Sequence, residues 1–103
     1  MPIIEPITLP DVSSDNETQI DARYRVLIHN DDVTTFEYVI NILGDIFMLS
    51  AELAEYIAWT THEKGAAVVV IRPRSEAEKL SKVANYRSRG DGYPLTFSTE
   101  PDK

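Results

Sequence analysis

The chain has 103 residues, enough for one folded domain, and its 43% hydrophobic and 26% charged content is typical of a globular protein. It has no cysteine, which excludes disulfide bonds and cysteine-based zinc sites, and its net charge of −7 argues against nucleic-acid binding, because phosphate contacts need a clustered basic surface. No apolar run approaches the roughly 20 residues of a membrane-spanning helix, so we expect a soluble cytoplasmic protein with no membrane partner.

The first 21 residues differ in composition from the rest of the chain. They contain Glu5, Asp11, Asp15, Glu17 and Asp21, and they contain no lysine or arginine. Prolines punctuate the first ten residues, a cluster of short polar residues follows, and no periodicity is sustained. We therefore expect residues 1–21 to be a flexible acidic N-terminal extension, either a plain tether or an arm that binds a partner. Residues 22–103 would then form the folded domain.

A strand and two helices are predicted in the first half of this domain. Apolar and polar residues alternate from Arg23 to Ile28, which predicts a half-buried strand. Apolar residues then recur at helical spacing, and Thr34 with Glu37 predicts a capping box at the helix start. A second helix is expected to begin after Ser50 and to stop at Gly65.

The second half predicts two more strands around a third helix. The run AAVVVI, residues 66–71, is apolar on both faces and β-branched, which favours a central strand. Ser75 and Glu78 predict a capping box for the third helix, and residues 93–97 alternate along a last strand that Pro94 confines to an edge. The order β-α-α-β-α-β predicts an α+β fold, a compact sandwich of three helices packed on a three-stranded antiparallel sheet.

Polar residues collect where the first strand ends and where the second helix ends. Asn30, Asp31 and Asp32 follow the strand, and His62 lies in the last turn of the helix. An amide oxygen, carboxylates and an imidazole together could accept hydrogen bonds from a small cation, especially an ammonium with its three N–H donors. Each piece alone has a simpler explanation, since Asn and Asp are common turn residues and a histidine near a helix end is often merely packed.

An apolar recess beside these polar groups would suit an apolar side chain on the same ligand. Its candidate residues come from both helices and the last strand: Phe36, Val39, Ala58 and Leu95. Tyr56 and Trp59 on the second helix fit either the core or an interface, and core filling is the more common use of such residues.

Other chemistries fit the residues less well. A metal site from His29, His62 and the two aspartates is awkward, because His29 and Asn30 should point to opposite faces of a continuing strand. A hydrolase would need a nucleophile beside His62, and Thr60 and Thr61 should point elsewhere on the helix. The chain also lacks a glycine-rich phosphate loop. We therefore expect no metal, no cofactor and no catalysis.

Three segments in the same order resemble the ClpS adaptor family: YRVLIHNDDVTTFEYVINIL, THEKGAAVV and YPLTFSTE. The resemblance spans roughly Arg23 to Glu100 and depends on the combination of N-D-D with an H-x-x-G that precedes an apolar strand. It implies an N-end-rule receptor, which binds the free α-amino group and the bulky first side chain of a substrate. Such an adaptor delivers the substrate to a Clp AAA+ unfoldase, through the N-terminal domain of a ClpA- or ClpC-type partner, and to the ClpP peptidase.

The resemblance also implies residue roles. The amino group would be surrounded by Asn30, Asp31, Asp32 and His62. The pocket for the first side chain would be lined or gated by Thr34, Phe36, Val39, Ala58, Thr61 and Leu95. The acidic segment, residues 1–21, resembles the extension through which the family engages the unfoldase.

Three positions depart from the pattern of the family. Phe36 stands where many members have Met, Ala58 where many have a larger residue, and Thr61 where an aliphatic residue is common. The smaller Ala58 should enlarge the recess while Phe36 partly refills it, so the preferred first residue stays open. An interaction domain of the ribosomal-stalk type, which has a similar compact α/β topology and needs no such pocket, is the alternative.

Overall fold

Residues 22–103 are described by the computed structural model, and they contain three strands and three helices. The predicted extension, residues 1–21, lies outside the described residues. The elements run β1 (Arg23–His29), α1 (Phe36–Phe47), α2 (Ala51–Lys64), β2 (Ala66–Pro73), α3 (Arg74–Gly90) and β3 (Thr96–Pro101). All strand pairs are antiparallel. The predicted α+β fold, with its β-α-α-β-α-β order, is thus confirmed.

The order of strands in the sheet is β2-β1-β3, so the central strand is β1. The expectation that residues 66–71 form the central strand is wrong. Apolar, β-branched composition identifies a strand but does not say how many neighbours it has, and Val68 on β2 is in fact exposed. At the end of β1, His29 pairs with Ala66 on one side and Thr96 on the other. The residues that follow β1 therefore emerge between the other two strands.

Both ends of α2 lie where the sequence predicts them, after Ser50 and at Gly65. The Ser50 side chain accepts a hydrogen bond from the Leu53 backbone N–H at 3.2 Å, which satisfies one free donor of the first turn. At the other end Gly65 adopts a left-handed conformation with φ 91°, which glycine tolerates without strain.

The caps of the other two helices differ from expectation. The N-cap of α1 is Thr35, whose hydroxyl oxygen accepts from the Tyr38 backbone N–H at 3.1 Å, so the capping box at Thr34 is wrong. Helix α3 begins at Arg74, directly after Pro73, without a side-chain cap. The predicted box at Ser75 is wrong because that residue is already inside the first turn.

A single core joins all six elements. Val26 and Ile28 of β1 are fully buried, as the alternating pattern predicts, and Phe47 of α1 stacks on Phe97 of β3 with ring centroids 5.4 Å apart. Tyr56 and Trp59 do not join this core: they are 66% and 55% exposed, so core filling is wrong for both. Among residues 22–103 no helix has the length and apolar character needed to span a membrane.

Candidate functional site

A pocket of about 290 Å³ opens between the end of β1, the start of α1 and the end of α2. All ten residues named from the sequence line it, together with His29: Asn30, Asp31, Asp32, Thr34, Phe36, Val39, Ala58, Thr61, His62 and Leu95. The apolar side chains at its floor are buried, whereas the amide, the second carboxylate and the imidazole are exposed at its mouth. The pocket therefore has a polar entrance and an apolar interior.

Backbone pairing brings the loop after β1 to the end of α2. The Asn30 N–H donates a hydrogen bond to the Gly65 carbonyl with N and O 2.9 Å apart, which extends the pairing of β1 with β2 by one step. His62 lies one turn before Gly65 in the last turn of α2. The sheet thus places Asn30 and His62 at the same pocket although 32 positions separate them in sequence.

The Asp31 carboxylate holds this loop in shape. Its Oδ1 accepts hydrogen bonds from the backbone N–H groups of Val33 and Thr34 at 2.8 and 2.7 Å, and its Oδ2 accepts from the Thr34 hydroxyl at 2.8 Å. The Thr34 hydroxyl therefore points toward Asp31, and the neighbouring Thr35 caps α1 instead. Asp31 is thus a loop residue as well as a pocket residue.

The pKa of the Asp31 carboxyl is below its ordinary value. Burial acts to raise the pKa, but the hydrogen bonds from Thr34 and Val33 and the nearby Arg89 charge together outweigh burial. The carboxylate is consequently ionised near neutral pH and contributes a negative charge to the pocket.

The other three polar side chains keep their hydrogen-bonding capacity. Within residues 22–103, the side chains of Asn30, Asp32 and His62 have no hydrogen bond or ion pair. Together they offer an amide oxygen, a carboxylate and an imidazole nitrogen, which are acceptors suited to a protonated amine.

His29 is the pocket residue that sequence reasoning did not assign to the amine site. It was expected to point away from Asn30, but β1 ends at His29 and the alternation of a strand no longer applies to the next residue. Its Nε2 is 2.7 Å from the Ser98 hydroxyl oxygen, so one ring nitrogen is engaged with β3. Among the described residues, no three histidine or acidic side chains converge as a metal ion would require.

The floor of the pocket is apolar because its one polar residue is satisfied internally. The Thr61 hydroxyl donates to the Ile57 carbonyl at 2.7 Å within α2. Ala58, only 3% exposed, leaves room beside it. The backbone of Leu95 is held by Arg89, whose guanidinium donates to the Leu95 carbonyl at 2.6 Å. The interior thus has no unsatisfied polar group on these residues and suits an apolar side chain.

Aromatic rings frame one side of the mouth. Phe36 contacts Trp59 edge-on with ring centroids 5.6 Å apart, and the Trp59 and His62 rings lie 5.8 Å apart with their planes 19° from parallel. Sequence reasoning left Trp59 open between the core and an interface, with the core as the more common use. Its spacing of three residues from His62 on one helix is the signal that could have placed it here.

Comparisons with known proteins place this chain among related sequences. Residues 19–98 match the family model described as ATP-dependent Clp protease adaptor protein ClpS. A ClpS adapter protein of Nitratidesulfovibrio vulgaris is 37% identical over 87% of this chain and 86% of its own length. A ClpS 2 protein of Mesorhizobium japonicum is 34% identical over 93% of this chain and 95% of its own length.

A solved structure has the same fold. Agrobacterium tumefaciens ClpS2, whose structure is bound to L-phenylalaninamide, superimposes with a TM-score of 0.77 at 36% identity. The match covers 80% of this chain and 99% of that chain. The family match, the identities and the shared fold together show that this chain belongs to the ClpS family of ATP-dependent Clp protease adaptors.

Proposed function

We propose that this chain binds the free N-terminus of substrate proteins whose first residue is bulky and apolar, and delivers them to a Clp AAA+ unfoldase and ClpP. The observation that carries the proposal is the single pocket whose polar mouth and apolar floor contain all ten predicted residues. The ligand of the Agrobacterium ClpS2 structure supports it, because L-phenylalaninamide carries a free amino group and an aromatic side chain on one carbon.

In this proposal the amino group of the substrate is bound at the mouth. Three acceptors serve its three N–H donors directly: the Asn30 amide oxygen, the Asp32 carboxylate and the His62 imidazole. Asp31 contributes through its negative charge and by holding the loop, since its two oxygens already accept three hydrogen bonds. Acetylation would remove the positive charge and leave one N–H donor for the three acceptors, so a blocked N-terminus should bind poorly.

The first side chain of the substrate enters the recess over Val39, Ala58, Thr61 and Leu95, with Thr34 and Phe36 nearer the mouth. A volume of about 290 Å³ is at the small end of ligand pockets, which suits one side chain and the start of one backbone. The small Ala58 favours an aromatic first residue over leucine. A stalk-type interaction domain would not need polar acceptors around such a recess.

The proposed role is non-enzymatic and requires no cofactor. The two hydroxyls nearest His62 in sequence are both committed to their own helix: Thr61 donates to Ile57, and Thr60 donates to the Tyr56 carbonyl at 2.9 Å. Neither is arranged as a nucleophile with His62 as its base.

The proposed partners are the N-terminal domain of a ClpA- or ClpC-type unfoldase and substrate proteins in the cytoplasm. Residues 1–21 are proposed to engage the unfoldase. Membranes and nucleic acids are not proposed as partners, in line with the acidic composition.

The test is a fluorescence-polarisation titration with labelled peptides that start with Phe, Trp, Leu or Val. Each peptide is prepared with a free and with an acetylated N-terminus. We expect the free aromatic and leucine peptides to bind, and the acetylated forms to bind at least tenfold more weakly. Equal affinity of free and acetylated peptides would contradict the proposal, because a site built for an ammonium must distinguish them.

A further inference from the structure

Trp59 presents an unusual combination of contact and exposure. Its ring lies against the rings of Phe36 and His62, which both line the pocket, yet 55% of its surface is exposed and it is not itself part of the pocket lining. The Phe36 and His62 rings are also near each other, with centroids 6.1 Å apart. The indole is therefore held in place at the edge of the mouth with much of its surface open to a ligand.

Exposed aromatic surface of this kind is typical of binding interfaces, where tryptophan offers a large apolar area at a low cost in conformational entropy. Phe36, itself 40% exposed, adds a second ring to the same surface. The two rings form an exposed aromatic patch that is continuous with the pocket through Phe36.

The part of a substrate that reaches this patch follows from where its amino group is bound, and so rests on the proposed function. With its amino group beside His62, the first residue of the substrate is anchored within a few ångströms of the imidazole. The next Cα is 3.8 Å farther along the chain. The indole centroid is only 5.8 Å from the imidazole centroid. When the substrate backbone leaves the pocket on the side of His62 and Trp59, the side chain of its second residue is therefore within reach of the indole.

We infer that Trp59 and Phe36 form a second subsite, which takes the side chain of the second residue of the substrate. The subsite favours an aromatic or branched aliphatic side chain, because the perpendicular packing of the two rings offers a face of one and an edge of the other. Substrates are then read at two consecutive positions, the first by enclosure in the pocket and the second by contact with the rings.

The test compares two peptides that differ at one position. Both start with leucine and have a free amino group; one has phenylalanine second and the other glycine. Wild-type protein should bind the Leu-Phe peptide about two- to tenfold more tightly, the range expected for an aromatic contact. Trp59→Ala should abolish this ratio while still binding the Leu-Gly peptide, and Trp59→Phe should restore part of it.

Tyr56→Ala provides a matched control, since Tyr56 is an exposed aromatic residue one turn earlier on the same helix and has no ring contact with the pocket residues among residues 22–103. It should leave the ratio unchanged. Trp59 is the only tryptophan of the chain, so its emission reports the contact directly and should change more with Leu-Phe than with Leu-Gly.

Two results would overturn the subsite. The wild-type protein could show no preference between the two peptides, or its preference could survive Trp59→Ala. If the preference survives while both peptides lose affinity equally, Trp59 acts only by positioning His62. Failure of the proposed function is distinguishable, because the acetylated Leu-Gly peptide would then bind as well as the free one.

Discussion

The backbone N–H of Asn30 donates a hydrogen bond to the carbonyl of Gly65, with the two atoms 2.9 Å apart. This bond ties the loop after β1 to the residue that ends α2. Asn30 begins the polar loop that contains Asp31 and Asp32, and His62 lies one helical turn before Gly65. The mouth of the pocket is therefore assembled around a backbone contact, which depends little on the identity of the side chains nearby.

Gly65→Ala should destabilise the chain by about 1 kcal/mol and weaken peptide binding. Gly65 has φ 91°, a conformation that strains residues with a Cβ, although no atom lies within 4 Å of where the Cβ would be. The effect therefore comes from backbone strain rather than a clash, and urea unfolding measures it. Gly90→Ala is the matched control, because Gly90 is helical with equal open space and should be neutral or slightly stabilising. Equal effects of the two changes would contradict the argument.

Asp31→Asn and Asp32→Asn should separate loop structure from ligand binding. Asp31→Asn replaces one acceptor oxygen with a donor that cannot accept from Thr34, so unfolding free energy should fall by about 1 kcal/mol, as for a lost cap. Asp32 has no such bonds within residues 22–103, so Asp32→Asn should leave stability nearly unchanged and weaken binding of a free amine about tenfold or more. Urea unfolding and peptide titration on both variants test this. The reverse pattern would show that the two roles are exchanged.

The Asp31 carboxyl should make stability depend on pH in the acid range. Burial acts to raise its pKa, but the bonds from Thr34 and Val33 outweigh burial and leave the pKa below the ordinary 3.8. The unfolded chain then binds this proton more readily than the folded chain. The contribution is complete above the unfolded pKa and is lost as pH falls through the folded pKa.

The corresponding measurement is urea unfolding of the wild-type chain and of Asp31→Asn, from about pH 6 down to about pH 2. The stability difference between the two proteins should shrink as the pH falls. A difference that stays constant over this range would mean that the ionised form of Asp31 is not the one that holds the loop.

Ala58→Met should change which first residue is accepted. Ala58 is buried at the floor of the pocket, so a longer side chain there removes space from the recess. We expect binding of a peptide that starts with Phe to weaken about tenfold, and that of a Leu peptide to weaken less. Ala51→Met, at an exposed position in the first turn of the same helix, serves as the control and should affect neither peptide. A uniform loss for both peptides would mean that the floor at Ala58 does not discriminate by size.

Local sequence signals predicted some boundaries and failed at others for identifiable reasons. Ser50 and Gly65 were assigned correctly because a helix cap depends on residues within a few positions. The capping box predicted at Thr34 is wrong because the Thr34 side chain is turned toward Asp31, and Thr35 caps α1 instead. Two adjacent threonines offer equivalent caps, and only the neighbouring carboxylate decides between them.

The aromatic residues of α2 show a second limit. Composition favoured the core for Trp59, but the core side of this helix is already occupied by small residues such as Ala54 and Ala58. Whether a residue on a helix is buried depends on the side of the helix that it occupies. Which side faces the core is decided by the elements that pack against the helix, and that packing is tertiary structure.

The sequence by itself predicted the order of the elements and the α+β class, because periodicity is a local property. The resemblance to one family named residues that line one pocket in the structure, and their role in binding stays a prediction. Tertiary structure decided which strand is central, which of the two carboxylates holds the loop and that Trp59 lies at the mouth of the pocket. These features depend on pairing between segments that are far apart in the chain. The hydrogen bond from Asn30 to Gly65, for example, requires the register in which β1 pairs with β2.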